Sequence, residues 1–201
     1  MTRIIAGFAG SLTIVVPGHG TRPTSDRVRE AIFSALEARR IVAGARVLDL
    51  YAGSGALGLE AASRGAARVT LVDHSTAATA ACRKNAARIL SAAPTGTALA
   101  IEVSSQPVAT FLAATDASWD LVFIDPPYEL VLPELAENLG ALIGRLTADA
   151  LVVLERSSRD PAPELPIGLK LERRKAYGDT TLYWLRATKP ALQNGAAKLL
   201  S

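Results

Sequence analysis

The sequence predicts one α/β domain on a mostly parallel, Rossmann-like sheet, and three observations carry that expectation. From Arg46 onward, short continuous apolar runs alternate with alanine-rich stretches of helical spacing, the pattern of strands buried on both faces beneath connecting helices. The 201 residues, 49% hydrophobic and 20% charged, suffice for one well-buried core and are too few for two ordinary domains. A glycine turn, Gly53-Ser54-Gly55-Ala56-Leu57-Gly58, joins one apolar run to one helical run, where α/β sheets place ligand-approaching backbone.

In chain order, residues 3–6 and 12–16 read as the strands of a hairpin, turned at Gly7 and Gly10. After the turn-rich residues 17–23, Thr24 or Ser25 offers an N-cap and Asp26 a first-turn acid. The helix that follows sets Val28, Ile32, Phe33 and Leu36 on one face. Strands are expected at 47–50, 69–72, 99–103, 121–124 and 151–154, separated by helices at 56–64, 76–90, 108–114 and 132–146. Residues 169–176 and 180–185, around Tyr177-Gly178-Asp179, finish the sheet as an antiparallel hairpin. The expected organisation is a hairpin and basic loop over 1–24, the main domain over 25–188, and a flexible tail over 189–201.

Composition narrows the chemistry. One cysteine, Cys82, excludes an internal disulfide and any multi-cysteine metal site, and two histidines, His19 and His74, leave little for zinc. No metal is expected, and Cys82 reads as packing. No apolar run approaches a membrane span, and the start lacks a signal-peptide pattern, so a cytoplasmic protein is expected, as a monomer. The net charge is +3. Through Arg46, seven arginines face only Asp26, Glu30 and Glu37. That segment reads either as a phosphate-contacting arm, with Arg3, Arg22, Arg27 and Arg29 the candidates, or as an ordinary solvated surface in which one arginine pairs with Asp26 or Glu30.

The glycine turn matches the G-x-G-x-x-G of dinucleotide sites, and Asp73, followed by His74, ends the next strand where a ribose-binding carboxylate belongs. Those features suit NAD and an adenosyl cofactor alike. Two details favour S-adenosylmethionine (SAM). A dinucleotide site usually opens at the first strand, whereas a long basic segment precedes this one. Asp49 also precedes the glycines as Asp49-Leu50-Tyr51-Ala52-Gly53-Ser54-Gly55, an arrangement in which the carboxylate receives the SAM ammonium but would repel a pyrophosphate. A loop-closing or helix-capping Asp49 is the plainer alternative. Tyr51 either flanks the cofactor or packs in the core.

After the fourth expected strand comes Asp125-Pro126-Pro127-Tyr128, at the carboxyl end where open sheets put active sites. Prolines fix φ and lack N–H, leaving a rigid turn with free carbonyls. An exocyclic base nitrogen is a weak nucleophile because its lone pair is conjugated. Asp125 and the Pro126 carbonyl can accept hydrogen bonds from that NH2 and stabilise the positive charge growing on it, while Tyr128 stacks on an unstacked base. An ordinary strand-ending turn is the alternative.

These residues, with Thr21-Arg22-Pro23-Thr24-Ser25-Asp26-Arg27-Val28-Arg29-Glu30 and Tyr177-Gly178-Asp179-Thr180, resemble the RsmD-type bacterial 16S rRNA guanine-N2-methyltransferases, which modify guanine 966. The similarity runs from about residue 3 to 187. It implies a seven-stranded class I SAM-dependent methyltransferase fold with an N-terminal β-hairpin that helps bind RNA, and 16S rRNA or the assembling small ribosomal subunit as partner. It also implies that Asp49, Gly53 and Gly55 lie along the methionine part of SAM, Asp73 on its ribose and residues 125–128 on the target base. Two departures stand out. Ser11 follows Gly10 where a basic residue is expected, and Ser104-Ser105 stand where many SAM enzymes carry an acid for the adenine, so a hydroxyl such as that of Ser104, or a backbone group, has to substitute. Tyr177 and Asp179 either support the site or only turn the hairpin. Methylation of a DNA base or a protein glutamine, an NAD-dependent oxidoreductase and a non-enzymatic RNA-binding module are the other readings.

Overall fold

A computed structural model describes residues 2–17, 25–127 and 129–188. The sheet is built from β1 (Arg46–Leu50), β2 (Arg68–Asp73), β3 (Ala100–Ser105), β4 (Trp119–Ile124), β5 (Leu146–Ser157), β6 (Leu169–Tyr177) and β7 (Thr180–Ala187). Their order is β3-β2-β1-β4-β5-β7-β6, parallel through β5, with β7 antiparallel between β5 and β6. The strand-helix alternation and the closing hairpin are therefore as the sequence predicts. Because β4 returns across the sheet to lie beside β1, the direction of winding reverses between them, and that reversal opens a crevice at the carboxyl ends of β1 and β4.

Helices α1 (Asp26–Ala38), α2 (Ala56–Ser63) and α3 (Thr76–Ala92) cover one face. Helices α4 (Val108–Ala114) and α5 (Leu132–Ile143) cover the other. Alternate strand residues separate accordingly: Val47, Leu121 and Phe123 pack under the first group, Leu48, Val122 and Ile124 under the second. Ser25 caps α1, its hydroxyl accepting from the Val28 amide at 3.3 Å. Among the described residues no helix is long and apolar enough to cross a membrane.

Two local expectations are corrected. The helix expected over 132–146 stops at Ile143, and Leu146 already belongs to β5. Arg145 ends the helix by donating its amide to Leu142 at 2.8 Å while its carbonyl accepts from Trp119 at 2.9 Å, so pairing with β4 overrides helical propensity. The expected N-terminal hairpin forms, but with one antiparallel bridge, Arg3 to Thr13, in place of two full strands. The Ile4, Ser11 and Ile14 amides donate across it to the Leu12, Ile4 and Thr2 carbonyls at 3.0, 2.9 and 3.0 Å, and other amides go to side chains of α2 and α3. Ile5 and Ala6 donate to the Glu60 carboxylate at 2.7 and 3.0 Å, Ala9 donates to Ser63 Oγ at 3.0 Å, and Val15 donates to Asn85 Oδ1 at 2.8 Å. Residues 2–17 are thereby fastened along α2 and α3, which explains why every residue of α2 is buried. The expected tail over 189–201 lies outside the described residues.

Candidate active site

A cleft of about 330 Å³ opens where β1, β2 and β4 end, walled on its far side by the carboxyl end of β5 and the β6–β7 turn. Asp49, the penultimate residue of β1, faces α2 and accepts from the Gly58 amide at 2.8 Å. It is 1% exposed. Burial pushes its carboxyl well above the usual carboxylate range, the Gly58 bond opposes that rise, and the nearby charges of Asp125 and Asp73 add to it. Three acids drawn from the ends of three neighbouring strands thus share one field.

The loop after β1 is held from below. Tyr51 adopts φ 60°, a left-handed conformation that non-glycine residues take only where the surroundings enforce it. Its hydroxyl accepts from Asn138 Nδ2 at 2.9 Å, and burial pushes its phenol up to about 12. Tyr51 lines the cleft and also packs on the core. Asp73 receives the Gly53 amide at 2.9 Å on one oxygen and the Ser75 amide at 2.8 Å on the other. Each oxygen keeps a lone pair. Asn85 of α3 donates to the Ser54 carbonyl at 2.9 Å and to the Val15 carbonyl at 2.8 Å, and the Cys82 thiol donates to the Gly53 carbonyl at 3.3 Å. Cys82 is buried as expected for packing, and burial raises its thiol well above the ordinary value.

Opposite the loop stand Asp125, Pro126 and Pro127. The turn is closed by the Leu130 amide donating to the Pro127 carbonyl at 3.0 Å, and Arg156 of β5 donates to the Leu130 carbonyl at 3.3 Å while pairing with Asp160 at 2.8 Å. Arg156, with Glu155 and Ser157, was not singled out from the sequence. Polar residues ending an apolar strand, Leu151-Val152-Val153-Leu154-Glu155-Arg156-Ser157, were the signal available for them. Tyr177 and Asp179 also line the cleft, and so do Ser25 and Val28 of the α1 start.

Of the residues expected at the site, Asp49, Tyr51, Ala52, Gly53, Ser54, Asp73, His74, Asp125, Pro126 and Pro127 are brought to this one cleft. Gly55 is not. It is the left-handed residue before α2, and a β-carbon there would crowd Leu71, Leu59 and Cys82. Ser104 lies off the cleft and accepts from Gln106 Nε2 at 2.9 Å. Arg29 is corrected from a phosphate-contacting residue to an internal one: fully buried, it donates to the Arg3 carbonyl and to Asp26, both at 2.7 Å. Arg3 and Arg27 are exposed. Tyr128 and Arg22 lie outside the described residues.

The donor set suits a cationic, hydroxyl-bearing ligand. Two carboxylates at adjacent strand ends supply acceptors, and a β-carbon built on Gly53 (φ 57°) would meet nothing within 4 Å, so the backbone borders open space on the cleft side. These features fit SAM and disfavour a pyrophosphate, which would lie against the same acids.

The chain matches the family model described as conserved hypothetical protein 95 over residues 2–186. It is 37% identical to ribosomal RNA small subunit methyltransferase D of Escherichia coli K12 over 177 residues, covering 88% of this chain and 85% of that one. A solved structure of a hypothetical protein from Thermus thermophilus superposes with a TM-score of 0.75 at 33% identity, covering 92% and 98% of the two chains. Magnesium protoporphyrin IX methyltransferase of Synechocystis, solved with bound SAM, shares the fold at 15% identity, with a TM-score of 0.64 over 85% of this chain and 87% of that one.

Proposed function

The chain belongs to the conserved hypothetical protein 95 family, a class I methyltransferase by fold and a SAM-dependent methyltransferase by kinship, and we propose on that premise that it methylates the exocyclic N2 of guanine 966 in small-subunit 16S rRNA. The observation that carries the reading is the placement of Asp125-Pro126-Pro127 across one cleft from Asp49, Gly53 and Asp73. A base-facing acceptor turn and a SAM-type loop then serve the same space.

SAM supplies an electrophilic methyl group on a sulfonium. Asp49 and the backbone of residues 51–54 hold its amino-acid end, and Asp73, aided by His74, meets its ribose. A bound ammonium brings a positive charge to a carboxyl whose ionisation is otherwise opposed by burial, so ionised Asp49 is favoured when the ligand is present. Across the cleft, the Asp125 carboxylate and the Pro126 carbonyl accept hydrogen bonds from the target NH2. They orient it and stabilise the charge that develops as nitrogen attacks. Tyr128, next in the chain, stacks on the base. Arg156 keeps the turn in place through Leu130. Exposed Arg3 and Arg27, with Arg22, contact RNA phosphates.

The test is transfer of labelled methyl from SAM to small-subunit rRNA that lacks the modification, offered as naked RNA and as assembled subunits, with mass spectrometry locating the product. Methyl on guanine N2 at position 966 is expected. Transfer only to DNA or to a protein glutamine, or to a different RNA atom, overturns the assignment.

A further inference from the structure

We infer that the exposed face of edge strand β6 is a track for the phosphates of the RNA strand flanking the target nucleotide, with Arg173 and Lys175 as its contacts. The inference rests on the RNA reading above. β6 carries Glu172-Arg173-Arg174-Lys175-Ala176-Tyr177, all exposed except the half-buried Tyr177. Glu172 is already neutralised by Arg39 and Arg186, each at 2.8 Å. Arg173, Arg174 and Lys175 form no ion pair among the described residues.

The register divides these cations between two faces. Arg173 lies opposite Trp184 and Lys175 opposite Leu182. Cross-strand partners share a face, and Trp184 and Leu182 belong to the core layer beneath α1–α3. Tyr177, opposite Thr180, packs on that same layer and lines the cleft. Arg173, Lys175 and Tyr177 therefore follow one another at intervals of about 6.6 Å toward the site. Lys175 Nζ sits 4.8 Å from the Tyr177 ring centroid, joining the row to the cleft wall. Arg174, opposite Tyr183, is on the other face, its guanidinium 5.5 Å from that ring.

Protecting a sheet edge from pairing needs charge, but not charge of one sign. The opposite edge strand, β3, pairs its Glu102 with Arg68 at 3.1 Å, whereas Arg173, Arg174 and Lys175 of β6 form no ion pair among the described residues and the strand leads to the cleft. A polyanion reaching the site has complementary charge along this edge.

The experiment compares parent, K175Q, R173Q/K175Q and R174Q. It measures RNA affinity against salt, methyl-transfer kinetics and SAM affinity. K175Q is expected to weaken RNA binding several-fold and R173Q/K175Q further, with the log–log salt slope falling by about 0.7 per removed contact. The loss falls on the KM for RNA rather than on kcat, SAM affinity is unchanged, and R174Q resembles the parent. If K175Q and R173Q/K175Q bind RNA like a methylating parent, or R174Q loses as much as K175Q, the track is overturned while the RNA reading stands. A parent that neither binds nor methylates RNA overturns both.

Discussion

The Gly58 amide donates to Asp49 Oδ2 at 2.8 Å beneath the glycine loop, tying the end of β1 to the first turn of α2. That carboxyl is held above its ordinary value of 3.8 by burial. A raised value in the folded state means that protonated Asp49 favours the fold. Its contribution is full below about pH 3.8 and declines as pH rises through the raised folded value. Asp49→Asn keeps an acceptor for Gly58 and removes the ionisation. In the protein without SAM, the variant's Tm relative to the parent is expected to climb with pH above about 4. SAM affinity is expected to fall at least about tenfold, through loss of a charged hydrogen bond. Calorimetric melts across pH and SAM titration check both; a variant whose relative stability drops as pH rises contradicts the assignment.

Gly53 and Gly58 separate ligand space from packing. At Gly53 the cost of alanine is backbone strain of about 1–2 kcal/mol, because its β-carbon meets nothing. SAM affinity is expected to suffer more than stability. At Gly58 a β-carbon collides with Leu71 and comes within 2.9 Å of Val69 Cγ1, so G58A is expected to lose about 1–3 kcal/mol by overpacking. Urea unfolding and SAM titration of both variants distinguish the two. A G53A protein with normal SAM affinity argues against ligand in that space.

On the proposed reaction, Asp125→Ala removes the acceptor for the target NH2 and leaves the SAM loop intact. kcat is expected to fall by about 10²–10³ while the SAM dissociation constant stays within about twofold. Single-turnover methyl transfer and calorimetry measure the pair. Near-normal turnover removes Asp125 from the reaction.

Arg29 fastens α1 to the N-terminal segment through the Arg3 carbonyl and Asp26. Arg29→Met is expected to cost about 1–3 kcal/mol in urea unfolding and to leave the salt slope of RNA binding unchanged, whereas Arg27→Gln lowers that slope with little change in stability. A reduced slope for Arg29→Met would return this residue to the RNA surface.

The strands and most helices were legible because each apolar run is short, continuous and bounded by turn residues, as at 47–50 and 121–124. The overrun of α5 arose because Leu142-Ile143-Gly144-Arg145-Leu146 has no local signal for the contact with Trp119 that redirects it. Asp49, Asp73 and Asp125 were legible since each sits at a strand end, a position that periodicity locates. The far wall was legible only in part. Arg156 and Ser157 reach the cleft because β5 runs on past its apolar stretch and pairs parallel with β4; for Tyr177 the sequence leaves a site role and a hairpin turn both open, and the antiparallel insertion of β7 between β5 and β6 sets that turn against the cleft.

Charge shows the same division. Composition places seven arginines in the first 46 residues, but which of them meet solvent depends on burial. The sequence by itself determined the sheet class, the SAM-type loop and the Asp125-Pro126-Pro127 turn, because those follow from local periodicity and backbone chemistry. Tertiary structure alone decided that Arg29 turns inward, that Glu60, Ser63 and Asn85 take up the N-terminal amides, and that Arg173 and Lys175 share the face leading to the cleft. Each of those outcomes depends on which distant polar groups must satisfy one another once water is excluded, and on which strands become neighbours.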